Sequence, residues 1–196
     1  MIEQLIALAI GAVIIIWIIS IYNSLIKLRN RIKNAFAQID VQLKRRYDLI
    51  PNLVETARAY MKHESETLEA VTRARNEASS VEKSLGDDPA DGDLMKKLIS
   101  AESSLGSSLG KFRMTMEAYP DLKANTTMQQ LMEELSSTEN KISFARQAFN
   151  DAVLFFNNKR EVFPNSIISA LFSFKAATPF EIENPAEREN VQVSFN

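Results

Sequence analysis

The sequence predicts an all-α protein: an N-terminal transmembrane helix continuing into a long-helix antiparallel bundle, three long helices plus a short fourth, with a C-terminal tail. Three observations predict it. Residues Leu5–Tyr22 (LIALAIGAVIIIWIISIY) form an eighteen-residue run without a charge. Apolar residues then recur at intervals of three and four across most of the chain, the period of a helix face. Glycine is scarce, at five in 196 residues, which disfavours turn-rich β architectures.

The apolar run is long enough for the hydrocarbon layer, since eighteen residues at about 1.5 Å each reach roughly 27 Å. A cleaved signal peptide requires a basic n-region and a small-residue cleavage site. This chain starts Met-Ile-Glu-Gln and has no A-x-A pattern after the run, so residues 1–23 are expected to be a retained anchor. Trp17 and Tyr22 fall toward its second half, and Tyr22 is placed as an interfacial aromatic. Beyond it come Lys27, Arg29, Arg31 and Lys33, with no lysine or arginine before the run. The positive-inside rule therefore leaves the N-terminus outside and everything after Asn23 in the cytoplasm. The same cations suit anionic headgroups, at about 1 kcal/mol each near the surface.

Residues 24–175 are expected to form the cytoplasmic bundle. Its first stripe is Leu25, Leu28, Ile32, Phe36, Ile39, Leu43, Tyr47, Ile50, Val54, Ala57, Met61, Leu68 and Val71, which predicts one helix from Ser24 to Leu85 with near-heptad spacing. Pro51 interrupts it, removing a donor and disfavouring a helical Ile50. A kink or short break is expected there, with Asp48 and Asn52 satisfying the freed groups. GDDPADGD (86–93) ends the helix. A second helix, capped by Asp93, is predicted over 94–119. PDLKAN (120–125) separates it from a third, capped by Thr126 or Thr127 and stopped by Pro164, and NSIISALF (165–172) reads as a short fourth.

These lengths raise a difficulty. A helix over 24–85 reaches on the order of 90 Å and its follower only about 40 Å, which leaves a juxtamembrane stem, 24–51, with an uncovered apolar stripe. An exposed stripe of that length needs cover. Either other copies of the chain supply it or the helix bends at Pro51; the near-heptad spacing favours a homo-oligomer.

Chemistry-bearing constellations are few. There is no cysteine and one histidine, His63, in the charged stretch MKHESE, so a metal pair or thiolate chemistry is not available from these residue types. GSSLGK (106–111) lacks the spacing and preceding strand of a phosphate loop. No G-x-S-x-G occurs, and a net charge of −2 argues against nucleic acid. Neither a catalytic group nor a cofactor is expected. Glu139, Arg146, Asn150 and Asn157, spaced by sevens and fours, predict a polar seam that fixes register between packed helices. Residues 176–196 form an acidic tail. Seven of the eleven phenylalanines follow residue 154, and two readings stay open for them: capping of the bundle's open end, or docking of a subunit or partner protein.

RRYDLIPNLVETARAY, YPDLKAN, TENKISFARQAFNDAV and FPNSIISALFSFK, in that order, resemble the segments of the LemA family of bacterial membrane proteins, over most of the chain from the anchor to about Phe180. Phe149 stands where a tyrosine is typical, and Phe155-Phe156 is more apolar than usual. The resemblance implies a single N-terminal anchor, a helical bundle and no established enzymatic activity, and some relatives' association with magnetosome membranes points to membrane organisation. The expected function is a non-enzymatic scaffold that self-assembles at the lipid bilayer. The alternative is an adaptor recruiting a signalling or quality-control protein through its C-terminal tail.

Overall fold

A computed structural model describes residues 1–86 and 88–181. Six helices follow one another: α1 (Ile2–Arg58), α2 (Ser65–Leu85), α3 (Gly92–Met116), α4 (Pro120–Ala124), α5 (Thr126–Glu161) and α6 (Asn165–Leu171). No strand occurs among the described residues, so the expected all-α bundle stands. The apolar N-terminal helix does continue into the bundle, as α1.

The chain reverses elsewhere than expected. α1 runs unbroken through Pro51, and the break comes at Ala59–Glu64, where α2 folds back. Proline at 51 leaves the Tyr47 carbonyl without its i+4 donor. Arg75 Nε, from α2, donates to that carbonyl at 2.9 Å, so the group the proline frees is satisfied by a neighbouring helix rather than by Asp48 or Asn52. The actual break has a sequence cause. Between Met61 and Leu68 the stripe lacks a member, and KHESE (62–66) offers the core nothing. Tyr60 and Met61 both donate to the Ala57 carbonyl as the helix closes, and Met61 is buried.

This early reversal removes the stem problem. α2 runs back toward the apolar segment of α1, where Asp88 meets Arg29 at 3.0 Å. α3 runs outward again, and Tyr119 reaches Glu64 at 3.3 Å at the far end. α5 then returns along α1 from its far end to about Tyr22, its 36 residues spanning about 54 Å. α1 packs mainly on α5, and α2 mainly on α3. Leu25, Ile32, Ile39 and Leu43, members of the supposedly bare stem, are fully buried. Residues 24–51 are thus one wall of an up-down-up-down four-helix bundle, and the need for a second copy to cover them disappears. Phe36 of α1 meets Phe149 of α5 edge-on at 6.0 Å, a pairing worth about 0.5–1.5 kcal/mol beyond burial.

Local chemistry sets the ends. Asp91, not Asp93, caps α3, accepting from the Asp93 and Leu94 amides at 2.9 and 3.0 Å. Asn125, not a threonine, caps α5, accepting from Met128 at 3.0 Å. α6 closes with Ser173 in the left-handed region at φ 55°. The Phe174 amide reaches Ser169 O at 2.9 Å and the Ser173 amide reaches Ala170 O at 3.2 Å, the paired bonds of a Schellman cap. From there Phe174–Glu181 runs back along α5 as an extended strap. Ala177 and Phe180 are buried, so the folded body does not stop at residue 175. Of the acidic tail only its first residues, 176–181, are described; Glu183, Glu187, Glu189 and Phe195 lie outside the described residues.

Candidate membrane interface

The strap explains most of the polar seam. Asn150 Oδ1 accepts from the Phe180 amide at 2.7 Å while its Nδ2 donates to the Phe180 carbonyl at 3.3 Å. Seven residues on, Asn157 does the same for Ala177, at 3.0 and 2.9 Å. Two side-chain amides on one helix flank thus bind an extended backbone as a neighbouring strand would. Arg146 lies over the Phe180 ring, 5.5 Å from its centre. Glu139 alone meets another helix, accepting from Arg113 of α3 at 2.9 Å. The seam therefore joins helix to strap at Arg146, Asn150 and Asn157, and helix to helix only at Glu139. Gly92 shares in holding the strap, because a Cβ there would come within 2.7 Å of Thr178 Oγ1.

The strap and α6 lie at the end of the bundle where α1 emerges from its apolar segment. Almost none of that segment is covered by the rest of the chain, and Trp17 projects from it half exposed. Tyr22 is met by two rings from the C-terminal region, Phe172 tilted against it at 4.9 Å and Phe174 edge-on at 5.6 Å. Phe156 in turn lies 6.4 Å from Phe174. Capping of the open end therefore accounts for Phe156, Phe174 and Phe180, but not for Phe163, which is exposed. Of the four expected headgroup cations, Lys27, Arg31 and Lys33 are exposed and form no ion pair among the described residues. Arg29 is committed to Asp88, and Arg31 also overlies the Phe155 ring at 5.5 Å.

A second polar group, unforeseen from sequence, sits in the middle of the bundle. Arg46 and Tyr47 both hydrogen-bond to the buried Glu102 carboxylate. Burial pushes the Tyr47 phenol well above its usual range. One turn away, Lys44 Nζ holds Asp40 at 2.8 Å and approaches Glu82 at 3.8 Å. Burial, and then the hydrogen bond and charge of Asp40, push the Glu82 carboxyl up to about 7. For Asp40, burial opposes ionisation, but the hydrogen bonds from Glu82 and Lys44 outweigh it and hold its carboxyl below the usual range. Asp40 Oδ1 and Glu82 Oε2 are buried without a hydrogen-bond partner, the setting in which protonating Glu82 relieves the repulsion between the two carboxyls. A signal for these residues was available: Glu82 and Glu102 occupy apolar-stripe positions, four after Ala78 and Leu98. The cluster is packed rather than open to a ligand. Among the described residues no group of three or more histidine, aspartate or glutamate side chains is arranged to hold a metal ion, and His63 is exposed in the α1–α2 turn.

The model of the LemA family matches residues 35–195. The chain is 25% identical over 172 residues to "Protein LemA" of Metamycoplasma hominis, covering 88% of this chain and 74% of that protein. It is 23% identical over 180 residues to "Magnetosome protein MamQ" of Magnetospirillum gryphiswaldense, covering 84% of this chain and 66% of the other. It is also 29% identical over 91 residues to "Magnetosome protein MamQ 2" of Paramagnetospirillum magneticum, covering 46% of this chain and 33% of the relative.

Proposed function

This chain belongs to the LemA family, and from that premise we propose that it is a membrane-anchored, non-enzymatic scaffold that self-assembles at the bacterial inner membrane and organises it. In this reading the N-terminus is outside and the bundle cytoplasmic, the orientation that the positive-inside rule favours for cations following the apolar run. One observation supports this reading above the others: α1 is a single helix of 57 residues, running from apolar span to bundle core with no flexible linker. The bundle is therefore held at a fixed distance and angle from the apolar span itself, which is what a positioning device needs. The magnetosome names of two relatives accord with a membrane-organising role. Since α5 already covers the stem, self-assembly falls to surfaces left apolar, foremost the exposed Phe144 on the outer face of α5.

The test is imaging and mass measurement of the full chain in lipid nanodiscs across a range of protein densities, together with a C-terminal reporter in cells. Assemblies of two or more copies and a cytoplasmic reporter support the reading. A particle that stays monomeric at every density removes self-assembly, and a reporter active only outside the cytoplasm reverses the topology.

A second reading, the adaptor, is favoured by the strap, since Asn150 and Asn157 deliver whatever follows Glu181 from a fixed point near the membrane. A truncation testing it must begin after Glu181. Cutting at Phe174 would remove the buried Ala177 and Phe180 and confound partner loss with unfolding.

A further inference from the structure

Val162–Phe174, VFPNSIISALFSF, contains no charged residue. Within it Phe163, Ile167 and Leu171, spaced by four, are 76%, 58% and 71% exposed. Phe172 beside them remains half exposed, and Leu154 and Phe155 extend the patch onto the end of α5. A soluble body rarely leaves so continuous an apolar face to water. α6 buries Asn165, Ile168 and Ser169 against the bundle, so the exposed residues are those its own fold does not use.

The position of this face identifies what covers it. α6 packs beside α1, and Phe172 packs at a tilt against Tyr22 at 4.9 Å, the residue at which the apolar run of α1 ends. The face thus stands at the depth where α1 leaves the hydrocarbon layer. Cations edge it on the α1 and α5 side, where Arg31 and Lys159 line one groove; Arg160 is paired with Glu161 at 2.8 Å. A groove of about 390 Å³ beside the patch has Leu28, Phe155 and Val162 as walls, with Arg31 and Lys159 among its lining residues. Apolar floor and cationic edge together match an acyl chain below an anionic headgroup.

We propose that α6 and the preceding Phe163 form a second membrane contact, an apolar face seated in the interfacial layer of an anionic bilayer beside the point where α1 emerges. The occupant is lipid because the patch continues the apolar surface of α1 and is edged by Arg31 and Lys159, whereas a second copy would present the same cations to one another. Two contacts, one spanning and one lying on the surface, fix the tilt of the bundle where a single span leaves it to vary. The inference rests on the reading that α1 spans the membrane.

The chain has no cysteine, so single-cysteine variants of the full-length protein can carry an environment-sensitive fluorophore. Leu171→Cys probes the face, Ile14→Cys the middle of the anchor, and Met114→Cys, 69% exposed at the far end of the bundle, is the aqueous control. Each is reconstituted in phosphatidylethanolamine–phosphatidylglycerol vesicles with and without spin-labelled lipid. The expected result is blue-shifted emission quenched by the labelled lipid at positions 14 and 171, and neither at 114. Adding Arg31→Glu and Lys159→Glu should reduce quenching at 171 without changing it at 14. Quenching at 14 with water-like emission at 171 overturns the second contact while leaving the anchor in place. Blue-shifted emission at 171 that ignores lipid quencher and grows with protein density assigns the face to a second copy, and overturns it too. Absence of quenching at 14 as well brings down the anchor reading on which the inference stands.

Discussion

The two ends of the bundle are built in opposite ways. At the far end, the α1–α2 turn and α4 are laced by polar contacts: Tyr119 to Glu64 at 3.3 Å, Asn125 to Tyr60 at 3.1 Å, and Lys123 to Glu117. At the near end three aromatic rings close over Phe156, and beside them Phe163, Ile167 and Leu171 face outward. Both ends close the same four-helix bundle, so the difference reflects what each end meets rather than what the core requires. The far end is finished for water. The near end is finished for a less polar medium, and its internal rigidity depends on the strap.

The largest expected effect tests that dependence. Phe156→Ala removes a fully buried ring against which Phe174 packs, and should cost about 3–5 kcal/mol in chemical denaturation. Tyr60→Ala at the far end, partly exposed and joined by one hydrogen bond, should cost about 1 kcal/mol. Equal losses would mean that the ends do not differ as described. Next comes the strap itself. Asn150→Ala leaves both backbone groups of Phe180 without their partner, and should cost roughly 2–3 kcal/mol. Hydrogen exchange should show protection lost at the Phe180 and Ala177 amides and unchanged at Tyr119. Protection lost uniformly would make the strap part of one cooperative unit with the far end.

The strap was only half legible in the sequence. The sevenfold spacing of Asn150 and Asn157 marked a common flank of α5, but their partners are backbone groups of Ala177 and Phe180, which carry no side-chain signature. The helix passes Pro51 without a break for a related reason: the proline's cost assumes an orphaned Tyr47 carbonyl, and the donor that removes the orphan, Arg75, lies 28 residues farther on. The reversal at Ala59–Glu64 was visible as the missing stripe member between Met61 and Leu68. Reading through it inverted the direction of every later helix and produced a bare stem. The apolar N-terminal helix, the all-α class and the caps' neighbourhoods depend on local periodicity and composition, and these were readable. Which helix covers which depends on one turn.

Midway between the ends, the Asp40–Glu82 pair makes stability depend on pH in a direction opposite to ordinary acid unfolding. Glu82 is raised from 4.5 to about 7, so the folded chain keeps a proton that the unfolded chain has released. Stability therefore falls as pH rises between those values, and the loss is complete above them. Asp40, held low, acts the other way and only in acid, where stability is lost as pH falls through its folded pKa. Glu82→Gln keeps the hydrogen bond without the charge. It should flatten the fall between pH 5 and 8, gaining about 1–2 kcal/mol at the upper end, as read from urea midpoints at each pH. A wild-type protein equally stable at both pH values would show that Glu82 does not keep that proton.

The smallest effect sharpens the comparison most locally. Ser173 turns the chain from α6 into the strap with φ at 55°, a region where a Cβ crowds the backbone and glycine does not. Its amide and that of Phe174 close the Schellman cap, so the conformation is required if Phe174 is to reach Tyr22. Ser173→Gly should therefore stabilise the chain by about 0.5–1 kcal/mol, the relief of strain exceeding the added freedom of the unfolded state. Ser173→Val, which cannot adopt that conformation cheaply, should destabilise and release Phe174, seen as a changed Tyr22 environment and faster exchange along the strap. Because the turn sits between the lipid-facing residues and the asparagine-held strap, the valine variant should also weaken lipid quenching at position 171 while leaving the far end untouched. Loss of order at both ends would instead make this turn a determinant of the whole bundle.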